Sequence, residues 1–352
     1  MTDKPIYLDA AATTQVDSRV KEAMLPYFDE VFGNASSNHL YGKEAKQAIG
    51  AARDHVAKLI NASSKEIFFT SGATEAINWA LKGYFERNPD KGNHIITVKT
   101  EHKAVLSTCE YLENRGVEVT YLDVNQYGLI SLDALSMAIK PETAMICVMY
   151  VNNEIGVIQD LDSIAKIARE KNICFFCDAT QAVGNVIVDV DHLPVDMLCI
   201  SAHKICGPKG VGALYKRSGI KLEPLIHGGG QEGDERAGTY NTPGIVGFGE
   251  ACRIAYEGFN ERVNLLGGKR KLWESYFLDN QIGTINFTTV NRAPHILSVT
   301  LSNLEADEFL MSKSKEFVAS TGSACNASLI EESHVLNALN TGSSEMILRI
   351  SF

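Results

Sequence analysis

Short apolar runs alternate with segments of helical period between residues 67 and 217. Residues 144–151 are apolar at eight consecutive positions, which is typical of a strand that is buried on both faces. Between residues 161 and 168, apolar side chains recur at i, i+3, i+4 and i+7, which predicts a helix. Alternating strands and helices predict an α/β fold with a mainly parallel sheet. The predicted strands are Ile67–Thr70, His94–Val98, Val117–Val124, Ala144–Val151, Cys174–Asp178, Met197–Ala202 and Gly212–Tyr215.

The pattern changes after about residue 250. A helix rich in Arg, Glu and Lys is predicted over Ala251–Asn280, followed by a strand over Ile296–Leu301 and a helix over Ala306–Lys315. We therefore expect a large domain, residues 16–250, and a smaller α+β domain formed by residues 1–15 and 251–352.

Composition and charge argue against several classes of function. The chain has 352 residues, 33 of them basic and 43 acidic, so its net charge is −10. It contains no run of about five or more Lys and Arg residues, and we expect it to bind neither nucleic acid directly nor an anionic membrane. Its longest apolar run is far shorter than the roughly 18 residues that indicate a membrane helix. No signal peptide is visible near Met1, and we expect a cytoplasmic protein.

The eight cysteines do not resemble a disulfide framework, because they are spread over a long chain and most lie in apolar runs. Seven of them are expected to be small buried hydrophobic residues. Cys174 and Cys177 form a C-x-x-C pair, but they lie on one apolar strand, so we predict no metal or redox role for them.

Ligands of mainly parallel sheets bind beyond the carboxyl ends of the strands, and two polar residues at such ends indicate chemistry. Lys204 follows the strand Met197–Ala202, where a partly desolvated lysine can form a Schiff base. Asp178 ends another strand and could pair with a pyridinium nitrogen. Alone, Lys204 is equally well explained as a surface lysine, and Asp178 is better explained as a strand-end cap. Together they form the arrangement that binds pyridoxal phosphate (PLP).

Three further segments support this interpretation only weakly. The turn at Gly72 leads from a strand into a helix beginning near Thr74, which suits a phosphate but equally a capping box. The loop His227–Thr239 offers glycines and Arg236 for a phosphate, or is simply a solvated loop. His102 could stack on a flat ring or carry a proton, although a lone histidine is more often structural.

Cys325 differs from the other cysteines. It lies in the small-residue run Ser320–Leu329, outside any strand or helix pattern, where a thiol is exposed and mobile enough to react. A free cysteine in such a loop is otherwise usually inert.

Taken together, these motifs resemble those of cysteine desulfurases of the NifS/IscS type, in the class V branch of the fold-type I PLP enzymes. The resemblance covers residues 6–352 and implies a homodimer in which the large domain carries a mainly parallel seven-stranded sheet. The motifs are Tyr7–Thr14, Thr70–Glu75, Thr100–His102, Val151–Gly156, Asp178–Gln181, Ser201–Lys204 and Ser323–Cys325.

The resemblance also implies a role for each site residue. Lys204 would carry PLP, Asp178 would pair with the pyridinium nitrogen, and Gln181 would contact the ring hydroxyl. His102 would stack on the ring and assist proton transfer. The remaining cofactor contacts would come from Ala73, Thr74, Ser201, His203 and, from the other subunit, Thr239. Asn153 and Arg349 would grip the substrate carboxylate.

The implied reaction converts L-cysteine to L-alanine and leaves a persulfide on Cys325 for an acceptor protein. The acceptor could serve iron–sulfur cluster assembly, tRNA thiolation or DNA phosphorothioation. Within enzymes, the alternatives are a selenocysteine lyase or another class V PLP reaction, although an aminotransferase has no use for Cys325. From another class, the chain could be a non-catalytic scaffold that activates a sulfur-transfer partner.

Overall fold

The structure is a computed structural model that describes residues 4–321, 323–326, 329–339 and 344–352, and only the backbone for 323–326, 329–332 and 344. The strands are β1 Ile6–Tyr7, β2 Ile67–Thr70, β3 His94–Val98, β4 Glu118–Leu122, β5 Thr143–Met149, β6 Cys174–Asp178, β7 Met197–Ser201, β8 Gly212–Lys216, β9 Gly283–Ile285, β10 Ile296–Leu301, β11 Phe317–Val318, β12 Ser320–Thr321, β13 Ser323–Asn326, β14 Leu329–Glu332 and β15 Ile347–Ser351. The α-helices are α1 Ser18–Met24, α2 Pro26–Asp29, α3 Leu40–Leu59, α4 Ala73–Arg87, α5 Lys103–Glu113, α6 Leu132–Ala138, α7 Leu161–Glu170, α8 Thr242–Glu257, α9 Phe259–Asp279, α10 Ala306–Lys313 and α11 His334–Ala338.

The main sheet has seven strands in the order β2-β8-β7-β6-β5-β3-β4. All of them run parallel to one another except β8, which is antiparallel to both of its neighbours. The predicted α/β class with a mainly parallel seven-stranded sheet is therefore confirmed. This direction of the strands places the carboxyl ends of β3, β5, β6 and β7 at one edge.

Both faces of this sheet are buried, as the continuous apolar runs predict. Every position of β5 is buried. Ile146 and Val148 pack into the apolar cluster on one face, while Met145 and Cys147 pack into the cluster on the other. Alternate side chains of a strand point to opposite faces, so a strand covered on both sides has no polar position to offer.

A second sheet, in the order β12-β15-β10-β9, packs against helices α9 and α10. Its core contains an aromatic cluster of Trp273, Phe277, Phe309 and Phe317, with ring centroids 5.0 to 6.3 Å apart. At the N-terminus, β1 pairs in parallel with β11 beside this sheet. We propose the division into residues 16–250 and residues 1–15 with 251–352 on this basis.

Three expectations about local structure need correction. The helix expected over Ala251–Asn280 is two helices, α8 and α9, and Gly258 ends the first of them because glycine is a poor helix former. Cys325 lies on β13, which pairs antiparallel with β14, and such backbone pairing requires no apolar alternation. Cys206 is only half-buried, in contrast to the six other cysteines whose burial the structure describes.

None of the helices in the described part of the chain is long and apolar enough to cross a membrane.

An ion pair fastens the loop after β8 to the outer strand of the main sheet. Both Glu232 carboxylate oxygens accept from the Arg53 guanidinium at 2.6 Å, and one of them also accepts from the Phe69 backbone N–H at 3.0 Å. The Glu232 side chain is 2% exposed and that of Arg53 is 19% exposed. The pair thus satisfies a backbone donor of β2 and holds the loop against it.

We predict that Glu232→Ala lowers the free energy of unfolding by about 3 kcal/mol, because it leaves a buried guanidinium without its partner. Chemical denaturation followed by circular dichroism measures the change. Asp123→Ala is the matched control, since its pair with Lys99 is exposed on both sides, and it should have a much smaller effect. Equal effects of the two variants would contradict this account of the loop.

Candidate active site

A cavity of about 650 Å³ lies at the carboxyl ends of the central strands, beside the N-terminus of α4. The structure brings most of the predicted site residues together here. Those that line the cavity are Ala73, Thr74, His102, Asn153, Asp178, Gln181, Ser201, His203, Lys204 and Arg349. They come from segments up to 276 residues apart (349 minus 73), and the sheet topology explains why they meet.

Lys204 ends a short 3-10 turn, Ala202–Lys204, directly after β7. Its Nζ donates to the carbonyl oxygens of Ala11 and Ala12, at 2.5 and 2.9 Å. Burial, followed by the nearby charge of Arg349, lowers the pKa of Lys204 to about 8, although Asp178 and Asp9 oppose this shift. A useful fraction of the amine is therefore neutral near physiological pH, as a nucleophilic lysine requires.

Asp178 lies at the end of β6 and is 5% exposed. Its Oδ1 accepts from the Thr180 backbone N–H at 2.9 Å and from the Cys199 thiol at 3.3 Å. Both contacts use the same oxygen, which leaves lone pairs of Oδ2 for a ligand in the cavity. A buried carboxylate of this kind calls for a cationic partner.

Glu101 is a second, fully buried carboxyl group close to Asp178. Its Oε1 accepts from the Met149 backbone N–H at 2.6 Å, while Oε2 has no hydrogen-bond partner within the described residues. Burial, with a further contribution from the charge of Asp178, raises the pKa of Glu101 well above its usual value. Burial therefore favours the protonated form, in which Glu101 adds no second negative charge.

The N-terminus of α4 faces the cavity and has the features of an anion site. The turn into the helix passes through Gly72 at φ 150°, a conformation that L residues rarely adopt, and no side chain caps this end of the helix. Its first backbone N–H groups are thus available to an anion. Glu75 does not act as the cap of a capping box on Gly72, because it accepts from Ser71 N–H at 2.7 Å and pairs with Arg236 at 2.8 Å.

Ser201 and His203 lie opposite this helix end. Burial and the charges of Lys204 and Lys209 lower the pKa of His203 to about 4, so its ring is neutral at physiological pH. Its Nδ1 lies 3.1 Å from the hydroxyl of Thr13. With Thr13 donating to Nδ1, the neutral ring carries its proton on Nε2 and can donate to an anion.

His102 is the N-cap of α5, a role that sequence reasoning did not anticipate. Its Nδ1 accepts from the Ala104 backbone N–H at 3.1 Å. Burial lowers the pKa of His102, and the neutral ring must then carry its proton on Nε2. The cap fixes both the orientation of the ring and its tautomer.

Arg349 extends from β15 into the cavity. It donates to the Asn153 carbonyl oxygen at 3.1 Å and to Asp9 Oδ1 at 2.7 Å. Its Nε is buried and has no partner among the residues that the structure describes. An unsatisfied buried donor on a cation is a place for a carboxylate oxygen of a ligand.

Two predicted residues stand apart. Thr239 lies on an exposed part of the loop after β8 and is not among the residues that line the cavity of its own chain. Its contribution from a second subunit remains a prediction. The side chain of Cys325 lies outside the described residues, so its predicted place at the site also remains a prediction. Arg236 of the same loop pairs with Glu75 at 2.8 Å, and its suggested contact with a phosphate stays a prediction.

Three residues were missed as site residues. Asp9 and Ala11 lie in the quoted motif Tyr7–Thr14, which was their only signal, and they hold Arg349 and Lys204 respectively. Glu101 lies in the motif with His102, where its burial could not be foreseen.

The Aminotransferase class-V family model matches residues 6–352 of the chain. A relative from Neisseria meningitidis serogroup C, named cysteine desulfurase IscS, is 49% identical over 99% of this chain and 87% of its own. A relative of the same name from Methanosarcina thermophila is 46% identical over 96% of this chain and 83% of its own. The chain belongs to the class-V aminotransferase family.

Solved structures place it more narrowly. A NifS-like protein superposes with a TM-score of 0.90 at 37% identity, over 99% of this chain and 93% of its own. SspA in complex with cysteine superposes with a TM-score of 0.86 at 38% identity, over 99% of this chain and 98% of its own. Within the class-V family, the chain is a cysteine desulfurase of the NifS/IscS type, and its cofactor is PLP.

The cavity of this class-V enzyme fits PLP in three respects. Lys204 provides an amine with a lowered pKa for the aldehyde. Asp178 is a buried carboxylate whose hydrogen bonds leave room for a ring nitrogen. The uncapped N-terminus of α4, with Ser201 and His203 nearby, has the donors that a phosphate needs.

We predict that Lys204 of the apoenzyme titrates near pH 8 rather than near its ordinary value, because burial disfavours the ammonium form. Competitive acetylation with trace acetic anhydride, quantified by mass spectrometry of the Lys204 peptide between pH 6 and about 11, measures this midpoint. The unfolded chain binds more protons than the folded one between pH 8 and the ordinary lysine pKa, so Lys204 should make the stability rise with pH in that window. Lys204→Met should abolish this contribution, and an unchanged pH dependence of stability would argue against the shift.

Proposed function

We propose that this desulfurase converts L-cysteine to L-alanine and takes the sulfur as a persulfide on Cys325. The observation that carries the proposal is the convergence of Lys204 and Arg349 on one cavity. An amino acid whose carboxylate binds Arg349 presents its Cα on the side of Lys204, an amine that is partly neutral at physiological pH.

In this proposal, Lys204 holds PLP, Asp178 faces its ring nitrogen, and Gln181 contacts the ring hydroxyl. Ala73, Thr74, Ser201 and His203 surround the phosphate, and Thr239 of the second subunit of a homodimer completes it. When bound, PLP supplies an electron sink next to the substrate Cα.

The chain's own residues supply the proton transfers. The free amine of Lys204 would remove the proton from the substrate Cα, because the lowered pKa of Lys204 leaves this amine partly unprotonated. His102 presents Nε2–H to the cavity, since its Nδ1 is committed to the backbone of α5. It is therefore suited to donate a proton or a hydrogen bond to the substrate.

Sulfur leaves the substrate by attack of the Cys325 thiolate on the substrate Sγ. A new S–S bond forms and the substrate Cβ–S bond breaks, with its electron pair remaining on Cβ. A proton converts Cβ into the methyl group, and Lys204 returns a proton to Cα, which gives alanine. The products are L-alanine and a Cys325 persulfide. An acceptor protein then takes the sulfur, in iron–sulfur cluster assembly, tRNA thiolation or DNA phosphorothioation, and we propose that it does so in the cytoplasm.

We predict that Arg349→Gln raises the KM for L-cysteine roughly 100-fold, because two charge-assisted hydrogen bonds to the substrate carboxylate are lost. The rate constant kcat should fall much less. Steady-state alanine formation measures both constants. Asp9→Asn is the matched control, since it weakens the contact of Arg349 but keeps the guanidinium, and it should raise KM less. An unchanged KM in Arg349→Gln would refute the carboxylate role.

We predict that Cys325→Ser binds PLP and L-cysteine but forms less than about 1% of the wild-type alanine, because a hydroxyl cannot take the sulfur. Wild-type protein is fed ³⁵S-cysteine and digested without reductant, and the peptides are mapped. Label that dithiothreitol removes should lie on the Cys325 peptide. Cys206→Ser is the control, since Cys206 is the half-buried one among the cysteines whose burial the structure describes, and this variant should keep the label. Unchanged alanine output from Cys325→Ser would reject the mechanism.

A further inference from the structure

A buried histidine lies behind the cavity, on the far side of Gln181. His295 directly precedes β10 and is 3% exposed. Its Nε2 is 3.2 Å from Gln181 Oε1. Its Nδ1 is buried and has no hydrogen-bond partner among the described residues. The ring therefore makes its short polar contact with a residue that lines the cavity, while it does not line the cavity itself.

The orientation of the Gln181 amide follows from its other contact. Gln181 Nε2 donates to the Ala11 carbonyl oxygen at 2.9 Å, and a carbonyl oxygen can only accept. The amide nitrogen is therefore on the side of Ala11, and Oε1 faces His295. Because Oε1 is also only an acceptor, His295 Nε2 must carry the proton.

One neighbouring contact, from Asn185, has to be weighed against this tautomer. Arg262 donates to Asn185 Oδ1 from Nε at 3.3 Å and from a terminal nitrogen at 3.1 Å, which identifies the other end of that amide as its nitrogen. Asn185 Nδ2 donates to the Gln181 carbonyl oxygen at 3.2 Å and lies 3.5 Å from His295 Nε2. With the proton on Nε2 this contact sets two donors against each other, but at 3.5 Å it is too long for a good hydrogen bond, so the shorter 3.2 Å contact with Gln181 Oε1 decides the tautomer.

The ring is also held in its neutral form. Complete burial, followed by the charges of Arg262, Lys204 and Arg270, lowers the pKa of His295 to about 3. The neutral ring carries one proton, on either Nδ1 or Nε2, and the contact with Gln181 assigns this proton to Nε2. The lone pair of Nδ1 has no partner among the residues that the structure describes, and burying an unsatisfied acceptor is a cost.

We propose that His295 is a positioning residue, whose Nε2–H holds the Gln181 amide so that its second N–H is turned to the ring hydroxyl of the cofactor. The inference rests on the proposed contact between Gln181 and that hydroxyl. Of the two N–H bonds of Gln181, one is used by Ala11 and the other is available to the cavity.

The expected consequence is spectroscopic. A hydrogen-bond donor at the ring oxygen of the cofactor stabilises negative charge on that oxygen. The proton that the oxygen shares with the nitrogen of Lys204 is therefore released at a lower pH. His295→Leu removes the donor to Oε1 and frees the amide to rotate. The pH midpoint of the absorbance change of the bound cofactor should then rise by about 1 unit. His295→Gln keeps an N–H near the position of Nε2 and should restore most of the wild-type midpoint.

A double-mutant cycle separates positioning from a general structural effect. Gln181→Leu removes the amide, and in that background His295→Leu should leave the spectroscopic midpoint unchanged. An equal shift in both backgrounds, or no shift in His295→Leu alone, would overturn the proposal. If His295→Leu does not fold, the spectroscopic midpoints of the single variants His295→Gln and Gln181→Leu still test the proposal. The inference requires a midpoint near wild type in the first and a raised midpoint in the second, and any other result rejects it.

A measurement on the wild-type apoenzyme tests the tautomer without the cofactor. In protein labelled with ¹⁵N-histidine, the His295 resonances, assigned by their loss in His295→Gln, should show a protonated Nε2 and an unprotonated Nδ1 from about pH 5 to 9. The opposite tautomer would overturn the inference even if the enzyme makes alanine. Conversely, a wild-type protein that neither binds PLP nor forms alanine would refute the proposed function while the tautomer result stood.

Discussion

The geometry of the cavity depends on one backbone carbonyl oxygen, that of Ala11. It accepts from the Lys204 Nζ and from the Gln181 amide, two side chains that follow different strands of the main sheet. Side chains of the same segment make similar contacts. The Asp9 carboxylate accepts from Arg349, and the Thr14 hydroxyl accepts from the Cys206 N–H. An irregular segment can make such contacts because its carbonyl groups are not used by a ladder or a helix.

The electrostatics of the cavity follow from burial rather than from the number of ionisable groups. Burial favours the protonated form of Glu101 and the neutral forms of His102, His203 and His295. Three histidines can thus act as directed donors without adding positive charge beside Lys204. A positively charged neighbour would lower the pKa of that lysine further.

The sequence predicts well those features that are local. The buried strands are visible because strands covered on both faces are largely apolar, and Asp178 and Lys204 stand out because the first ends such a strand and the second closely follows one. Contacts between distant segments leave no such pattern. Gln181 and His295 are 114 residues apart, and Arg349 and Asp9 are 340 residues apart. The β13–β14 hairpin is local but was missed for a different reason, since its pairing is a property of the backbone and needs no apolar pattern.

The second sheet connects His295 with Arg349. His295 directly precedes β10, and Arg349 lies on β15, where it is paired with Ser298 of β10. The backbone ladder between these strands therefore fixes the distance between the two residues, and a displacement of this sheet relative to the main sheet would move both together. In the proposed function, a substrate bound at Arg349 would favour the position of the sheet in which His295 contacts the Gln181 amide, and the reverse coupling would be equally strong.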